Sequence, residues 1–148
     1  MKTLRWTWSD INTDIRIFEG QKQIGRIASF SDNVHAEINK KYFFLDKPKW
    51  MFKTFISDPK DDDKAYCEVD LSHHPMNVLI CPTFSYYAKR SGIWPFKRTW
   101  SISTKGKCLA ELEIPKGFFK DAGVLRIHQE ENFELIIFSL FYFNSIND

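Results

Sequence analysis

Apolar and polar residues alternate with a period of two along much of this chain. The clearest examples are residues 14–17 (DIRI), 34–39 (VHAEIN), 65–71 (AYCEVDL) and 110–114 (AELEI). Successive side chains of a β-strand point to opposite faces, so each segment places one apolar face against a core and one polar face in water. The alternation therefore predicts half-buried strands of an antiparallel sheet.

Turn-forming residues separate these segments. Gly20 and Gly106 stand at positions where a tight hairpin needs a positive φ. The pattern predicts about eleven strands, near residues 4–8, 13–18, 23–30, 34–39, 42–46, 51–57, 65–71, 77–87, 98–104, 107–114 and 124–128. So many short strands at regular spacing are typical of a barrel or a sandwich.

The last apolar run, residues 133–143 (FELIIFSLFYF), departs from the alternation. Glu134 and Ser139 alone interrupt it, so the segment must be buried on every side. Its length favours a helix, with Asn132 as the N-cap and Asn144 in the left-handed conformation at its end. A strand buried on both faces is the alternative, because periodicity does not separate the two.

These patterns together predict one mainly β domain over residues 1–148. We expect an antiparallel β-barrel of about 10–12 short strands that encloses a hydrophobic C-terminal helix at about 131–144. A chain of 148 residues can bury enough surface to fold without a disulfide. Aromatic residues make up 16% of it, a content that favours strands and large core contacts.

The two ends of the chain and its cysteines indicate the cellular compartment of the protein. The amino terminus (MKTLRWTWSD) lacks the unbroken apolar stretch of a signal peptide, and the final run is shorter than the roughly 20 apolar residues of a spanning helix. The chain has three cysteines, Cys67, Cys81 and Cys108, and an odd number of cysteines cannot all form disulfides with one another. We therefore expect a cytoplasmic protein without a transmembrane segment.

Three stretches carry a resemblance to a known fold. They are residues 18–27 (FEGQKQIGRI), 94–112 (WPFKRTWSISTKGKCLAEL) and 123–143 (GVLRIHQEENFELIIFSLFYF). In this layout the whole chain resembles the tubby-like superfamily, which includes the phospholipid scramblases and the plant LURP-one-related proteins, and it looks like a small bacterial member. The resemblance implies a closed antiparallel barrel around a central apolar helix near the chain's end.

The same resemblance bears on function. For the eukaryotic tubby proteins it would imply that basic side chains bind phosphoinositide headgroups. No position here aligns with those binding residues, so that function is not transferred residue by residue.

Charge is unevenly distributed along the chain, although the net charge is only +2. Residues 71–110 contain no acidic side chain and six basic ones, interleaved with Tyr86, Tyr87, Trp94, Phe96 and Trp100. The basic residues of this block are Lys89, Arg90, Lys97, Arg98, Lys105 and Lys107. They are the best candidates for binding an anionic lipid headgroup or a phosphate group. An ordinary solvated face is the alternative interpretation.

Two other clusters offer ligand chemistry. Cys67, His73, His74 and Cys81 have sulfur and imidazole donors suited to zinc, but their spacing matches no familiar zinc motif. The acidic loop Asp58, Asp61, Asp62 and Asp63 lacks the glycine and the terminal glutamate of an EF-hand. A buried small side chain at Cys67 and a solvated acidic loop are the simpler interpretations, so we predict no metal and no cofactor.

No motif for catalysis is present. The chain has no G-x-S-x-G elbow, no Walker loop and no G-x-G-x-x-G sequence, and nothing selects a cysteine–histidine pair. We therefore expect a non-enzymatic binding or scaffold protein with no catalytic residues and no nucleic-acid partner. The alternatives are a lipocalin-like carrier of a small lipophilic ligand and an uncharacterised hydrolase.

Overall fold

The structure is a computed structural model, and it describes residues 1–8, 14–30, 32–46, 53–61, 64–72, 76–82, 85–92, 97–115 and 122–146. Within these ranges the chain forms twelve strands and one helix. The strands are β1 (Lys2–Trp8), β2 (Asp14–Glu19), β3 (Lys22–Ser29), β4 (Asn33–Ile38), β5 (Lys41–Asp46), β6 (Lys53–Asp58), β7 (Lys64–Asp70), β8 (Asn77–Ile80), β9 (Ser85–Ser91), β10 (Arg98–Thr104), β11 (Lys107–Ile114) and β12 (Ala122–Ile127). The helix is α1 (Phe133–Ile146).

The strands form a closed antiparallel barrel. Each strand pairs with its neighbours in the sequence, and β12 pairs with β1 to close the sheet. At the closure Lys2 lies opposite Ile127 and Leu4 lies opposite Leu125. Among the described residues each strand has a paired neighbour on both sides, so the barrel has no edge strand.

Helix α1 fills the barrel. Its side chains from Phe133 to Asn144 are all buried. Aromatic rings on three parts of the wall pack against it, with centroid separations of 5.4 Å for Trp6–Phe141, 5.4 Å for Phe43–Phe138 and 6.2 Å for Trp100–Phe143. The predicted fold class is confirmed, and the helix lies two residues later than the predicted 131–144.

The two ends of the barrel differ. The hairpin end, as we call it, carries the short turns 20–21, 39–40 and 105–106, and α1 begins there. The loop end is the opposite end, where the connections after β1, β5, β9 and β11 leave the wall. Gly20 and Gly106 have φ values of +63° and +77°, which confirms the glycine turns predicted at these positions.

Residues 77–87, predicted as one strand, are two. β8 ends at Ile80 and β9 begins at Ser85, and the two strands pair with each other as antiparallel neighbours. Pro82 lies between them and has no backbone N–H to donate to a sheet. The apolar character of the stretch hid this break.

Asn132 stands at the predicted N-cap position with an unusual backbone conformation, whereas the predicted role of Asn144 is wrong. Asn132 precedes α1 and its carbonyl accepts a hydrogen bond from the Ile136 amide at 3.1 Å, but its φ is +58°, in the left-handed region and not extended as at a usual N-cap. Asn144 lies inside the helix and does not end it. Its Oδ1 accepts a hydrogen bond at 3.2 Å from the buried indole N–H of Trp100.

Candidate anion-binding surface

The six basic residues of the central block are spread along the barrel. Arg90 and Arg98 lie near the loop end, whereas Lys105 and Lys107 lie at the β10–β11 turn of the hairpin end. The length of β10 separates the two groups by about 20 Å, at roughly 3.3 Å per residue. A single ligand the size of one headgroup cannot contact all six.

Arg98 lies on the inner side of the wall. It shares its strand parity with Trp100 and Ile102, and it is 3% exposed. Arg90 has the parity of the buried Tyr86 and Ala88, but it is exposed because it stands near the end of β9. Neither arginine belongs to the outer face that carries Lys89.

Lys97 is already paired with an acidic residue, which it shares with Arg126. Its ammonium group lies 2.6 Å from a carboxylate oxygen of Glu113, and the guanidinium of Arg126 binds the other oxygen. The hydrogen bond from Lys97, together with Arg126, lowers the pKa of Glu113 against the opposing effect of burial. Lys97 therefore contributes little attraction for an external anion.

The remaining three basic residues are Lys89, Lys105 and Lys107. All three are exposed, and none forms an ion pair within the described residues. Lys89 lies opposite Ser101, and Lys107 lies opposite Thr104 across the β10–β11 hairpin. Lys89 therefore lies on the outer face. Lys107 shares the inner parity of Thr104, and it is exposed because it lies, like Lys105, at the hairpin end.

Two exposed apolar side chains accompany these lysines. Tyr87 is 41% exposed and Ile80 is 37% exposed. Ile80 pairs with Ser85, two residues from Tyr87, so the two side chains are diagonal neighbours on the outer face. We call Lys89, Lys105, Lys107, Tyr87 and Ile80 the lysine surface.

The lysine surface combines charge with amphipathic character. An ammonium group attracts phosphate oxygens, and a tyrosine can keep its ring in an apolar layer while its hydroxyl stays in water. All five side chains are exposed, so the surface suits an extended anionic surface better than one enclosed ligand. Among the other aromatics of the block, Tyr86 and Trp100 are buried, and Trp94 and Phe96 lie outside the described residues.

The structure brings together two members of the cysteine–histidine cluster. The β7–β8 register pairs Glu68 with Ile80, and its continuation sets Cys67 opposite Cys81. Both thiols are buried and free. A hydrogen bond with Cys81, together with burial, raises the pKa of the Cys67 thiol. His73 and His74 lie outside the described residues, so the zinc interpretation of the four residues stays a hypothesis.

The acidic loop uses one of its carboxylates within the protein. Asp58 accepts hydrogen bonds from the Lys60 amide at 2.9 Å and from the Tyr66 hydroxyl at 3.1 Å. Burial and this carboxylate raise the pKa of Tyr66 to about 12. Asp58 therefore orders the turn after β6, while Asp62 and Asp63 lie outside the described residues.

The alternation of side chains along the strands indicates which of the six basic residues share a face of the sheet. Strict alternation in β10 already gives Arg98 the parity of Trp100 and Ile102, and it gives Lys89 and Arg90 opposite faces. The sequence does not predict that Ile80 is exposed, because an apolar residue between Leu79 and Cys81 is expected to be buried in the core. The partnership of Lys97 with Glu113 depends on pairing between distant segments and could not be found locally.

Comparison with protein-family models, with curated proteins and with solved structures finds no match. The resemblance to the tubby-like superfamily therefore stays a prediction. No helix in the described part of the chain is long and apolar enough to cross a membrane.

Proposed function

We propose that this protein is a non-enzymatic binding module that contacts anionic groups through its lysine surface. The observation that carries the proposal is the grouping of Lys89, Lys105 and Lys107, none paired with a described acidic residue, beside the exposed Tyr87 and Ile80. The ligand chemistry is a phosphate group, either on a lipid headgroup or on a soluble molecule.

The filled interior supports a binding role for the outside of the barrel. A carrier of the lipocalin type needs an empty lumen for its guest. Here Ile137, Phe138 and Phe143 of α1 are each 0% exposed inside the wall. Contacts with a ligand are therefore expected on the outer wall or at the barrel ends.

We also propose kinship with the tubby-like superfamily. A closed antiparallel barrel around a central apolar helix near the chain's end supports this proposal. A shared architecture does not by itself bring a shared function, so the anionic ligand is argued from the lysine surface alone.

Vesicle flotation tests the proposed function. The full chain is mixed at low salt with phosphatidylcholine vesicles that contain either no anionic lipid or 30% phosphatidylserine, roughly the composition at which surface charge attracts polybasic proteins. We expect flotation with the anionic vesicles only, and we expect it to weaken as salt is raised because exposed charges are screened.

A matched pair of triple variants locates the contact. Lys89→Gln, Lys105→Gln and Lys107→Gln together should abolish flotation. The control Lys22→Gln, Lys40→Gln and Lys64→Gln removes the same charge from exposed lysines on other strands and turns, and it should float like the unaltered chain.

Two outcomes contradict the lipid form of the proposal. One is equal flotation with neutral and anionic vesicles, and the other is equal loss in both triple variants. A titration with inorganic phosphate and inositol hexakisphosphate forms the second arm. Binding there without flotation assigns the surface to a soluble phosphate compound, and no binding in either arm overturns the proposed function.

A further inference from the structure

Three side chains with different donor atoms converge on the outer wall, next to the lysine surface, since Cys108 and Tyr87 both lie opposite Ser103. They are Cys108, Glu111 and His128, and their sulfur, oxygen and nitrogen atoms all lie within 4.8 Å of one another. His128 Nε2 is 2.9 Å from Glu111 Oε1. Thiolate, carboxylate and imidazole are the three side-chain groups that bind zinc in proteins.

A β-bulge brings Cys108 and Glu111 to the same face. The β10–β11 register pairs Ala110 with Ile102 but Cys108 with Ser103, so Leu109 is an extra residue in β11. Leu109 and Ala110 are both buried, whereas Cys108 is exposed and Glu111 is half-buried. Without the bulge, residues three apart in a strand would face opposite sides.

The same bulge holds the backbone of His128. This residue follows β12, and its amide donates a hydrogen bond of 2.8 Å to the carbonyl of Leu109. The ring is then held by Glu111 at its Nε2 atom. Two strands and the bulge therefore fix all three donors with little loop freedom.

The neighbouring cation does not occupy the cluster. Arg126 lies opposite Glu111 in the β11–β12 register, but its guanidinium binds Glu113, which also binds Lys97. The carboxylate of Glu111 therefore contacts His128 and not Arg126. The Glu111 and His128 side chains are 33% and 30% exposed, so solvent can reach the cluster.

We propose that Cys108, Glu111 and His128 bind one divalent cation of the zinc class, with solvent as the fourth ligand. Zinc bonds of about 2.0–2.3 Å in a tetrahedron place the donor atoms roughly 3.3–3.8 Å apart. The present donors lie within 4.8 Å of one another, so the widest separation must close by no more than about 1.5 Å, and the 2.9 Å His128–Glu111 separation must open by about 0.4 Å. The inference does not depend on the proposed function.

Binding must displace a proton. A cysteine thiol has an ordinary pKa of about 8.5, so the metal-free residue is mostly protonated at neutral pH. The cation takes the place of the thiol proton, which goes to solvent. The imidazole binds through the nitrogen that carries no proton, so Nε2 can bind only after its proton has moved to Nδ1 or to solvent, and no oxidation state changes. Affinity should therefore rise as the pH is raised from 6 to 8.

Cobalt titration of the reduced full chain tests the site. Co²⁺ takes the same ligands as Zn²⁺, and a cobalt–thiolate bond gives a near-ultraviolet charge-transfer band. We expect this band to saturate at one Co²⁺ per chain and to disappear when Zn²⁺ is added. Glu111→Gln and His128→Gln should each weaken Zn²⁺ binding by about tenfold or more.

Two cysteine variants identify the thiolate. Cys108→Ser should abolish the band, and Cys67→Ala, which disables the buried Cys67–Cys81 pair, should leave it unchanged. Thermal unfolding followed by circular dichroism shows that each variant is folded. No band in the unaltered chain, or a band that persists in folded Cys108→Ser, overturns the proposal.

Discussion

Gly123 in β12 lies directly opposite Trp6 in β1, and the indole ring covers the space that a side chain at position 123 would need. A Cβ atom there would lie 2.4 Å from the Trp6 ring and 2.6 Å from the carbonyl oxygen of Glu113. The ring of Trp6 is fully buried and also packs against Phe141 of the helix. The barrel closure therefore depends on a glycine for a steric reason rather than for backbone freedom.

Gly123→Ala should lower the free energy of unfolding by about 1–3 kcal/mol, because overpacking displaces the Trp6 ring. Urea unfolding followed by circular dichroism measures the change. Adding Trp6→Phe to Gly123→Ala should recover part of the loss, since the smaller ring leaves room for the methyl group. An unaltered midpoint for Gly123→Ala would show that the ring does not fill this space.

The turn between β4 and β5 contains two non-glycine residues in the left-handed region. Asn39 has a φ of +50° and Lys40 a φ of +65°, the combination of a type I′ hairpin turn. Asparagine tolerates this conformation, but lysine adopts it at a cost. Glycine is the preferred residue at the second position.

Lys40→Gly should therefore raise the free energy of unfolding by about 0.5–1 kcal/mol, the usual gain when strain is relieved after the entropy of glycine is subtracted. Lys22→Gly removes the same charge from the first residue of β3 and should be destabilising instead. Chemical denaturation of the two variants distinguishes them. Equal losses in both would show that position 40 carries no strain.

At the scale of elements, Glu113 links three neighbouring parts of the wall. It lies in β11, binds Arg126 in β12 and binds Lys97 just before β10. The lowered pKa of Glu113 means that its ionised form is favoured by folding. Its contribution to stability is present above the unfolded pKa of about 4.5 and is lost as the pH falls through the lower folded value.

Glu113→Gln should reduce the free energy of unfolding by about 1 kcal/mol at pH 7, a figure kept small because Lys97 is largely exposed. The difference from the unaltered protein should shrink as the pH is lowered below 4. Urea titrations at pH 7 and pH 3 measure it. Glu37→Gln, an exposed substitution of the same type, is the matched control.

The sequence predicts most elements because local pattern decides them. Alternation specifies the strands, and the unbroken apolar character of 133–143 specifies a buried segment whose length favours α1. Local pattern does not predict the division at Pro82, because residues 78–81 are apolar and aromatic residues continue after it at 84, 86 and 87. Local pattern does not predict the C-terminal end of α1, because Asn144 is held inside the helix by Trp100, a partner 44 residues away.

At the scale of the whole molecule, the helix determines what the barrel can do. Because α1 fills the lumen, a ligand is expected on the outside of the barrel. On that surface, residues that are close in sequence need not be close in space. The six basic residues of the central block illustrate this. They lie on different faces of the sheet and near different ends of the barrel, and Lys97 already has an acidic partner. The cluster of Cys108, Glu111 and His128 also needed the bulge and the β11–β12 pairing before it became visible.

Amide hydrogen exchange of α1 tests the central claim that this helix is enclosed by the barrel wall. If it is enclosed, the amides of residues 137–143 can exchange only when the whole barrel opens. Their opening free energy should then equal the global free energy of unfolding measured with urea. Exchange of these amides within minutes, while the amides of β4 and β11 remain protected, would contradict an enclosed helix.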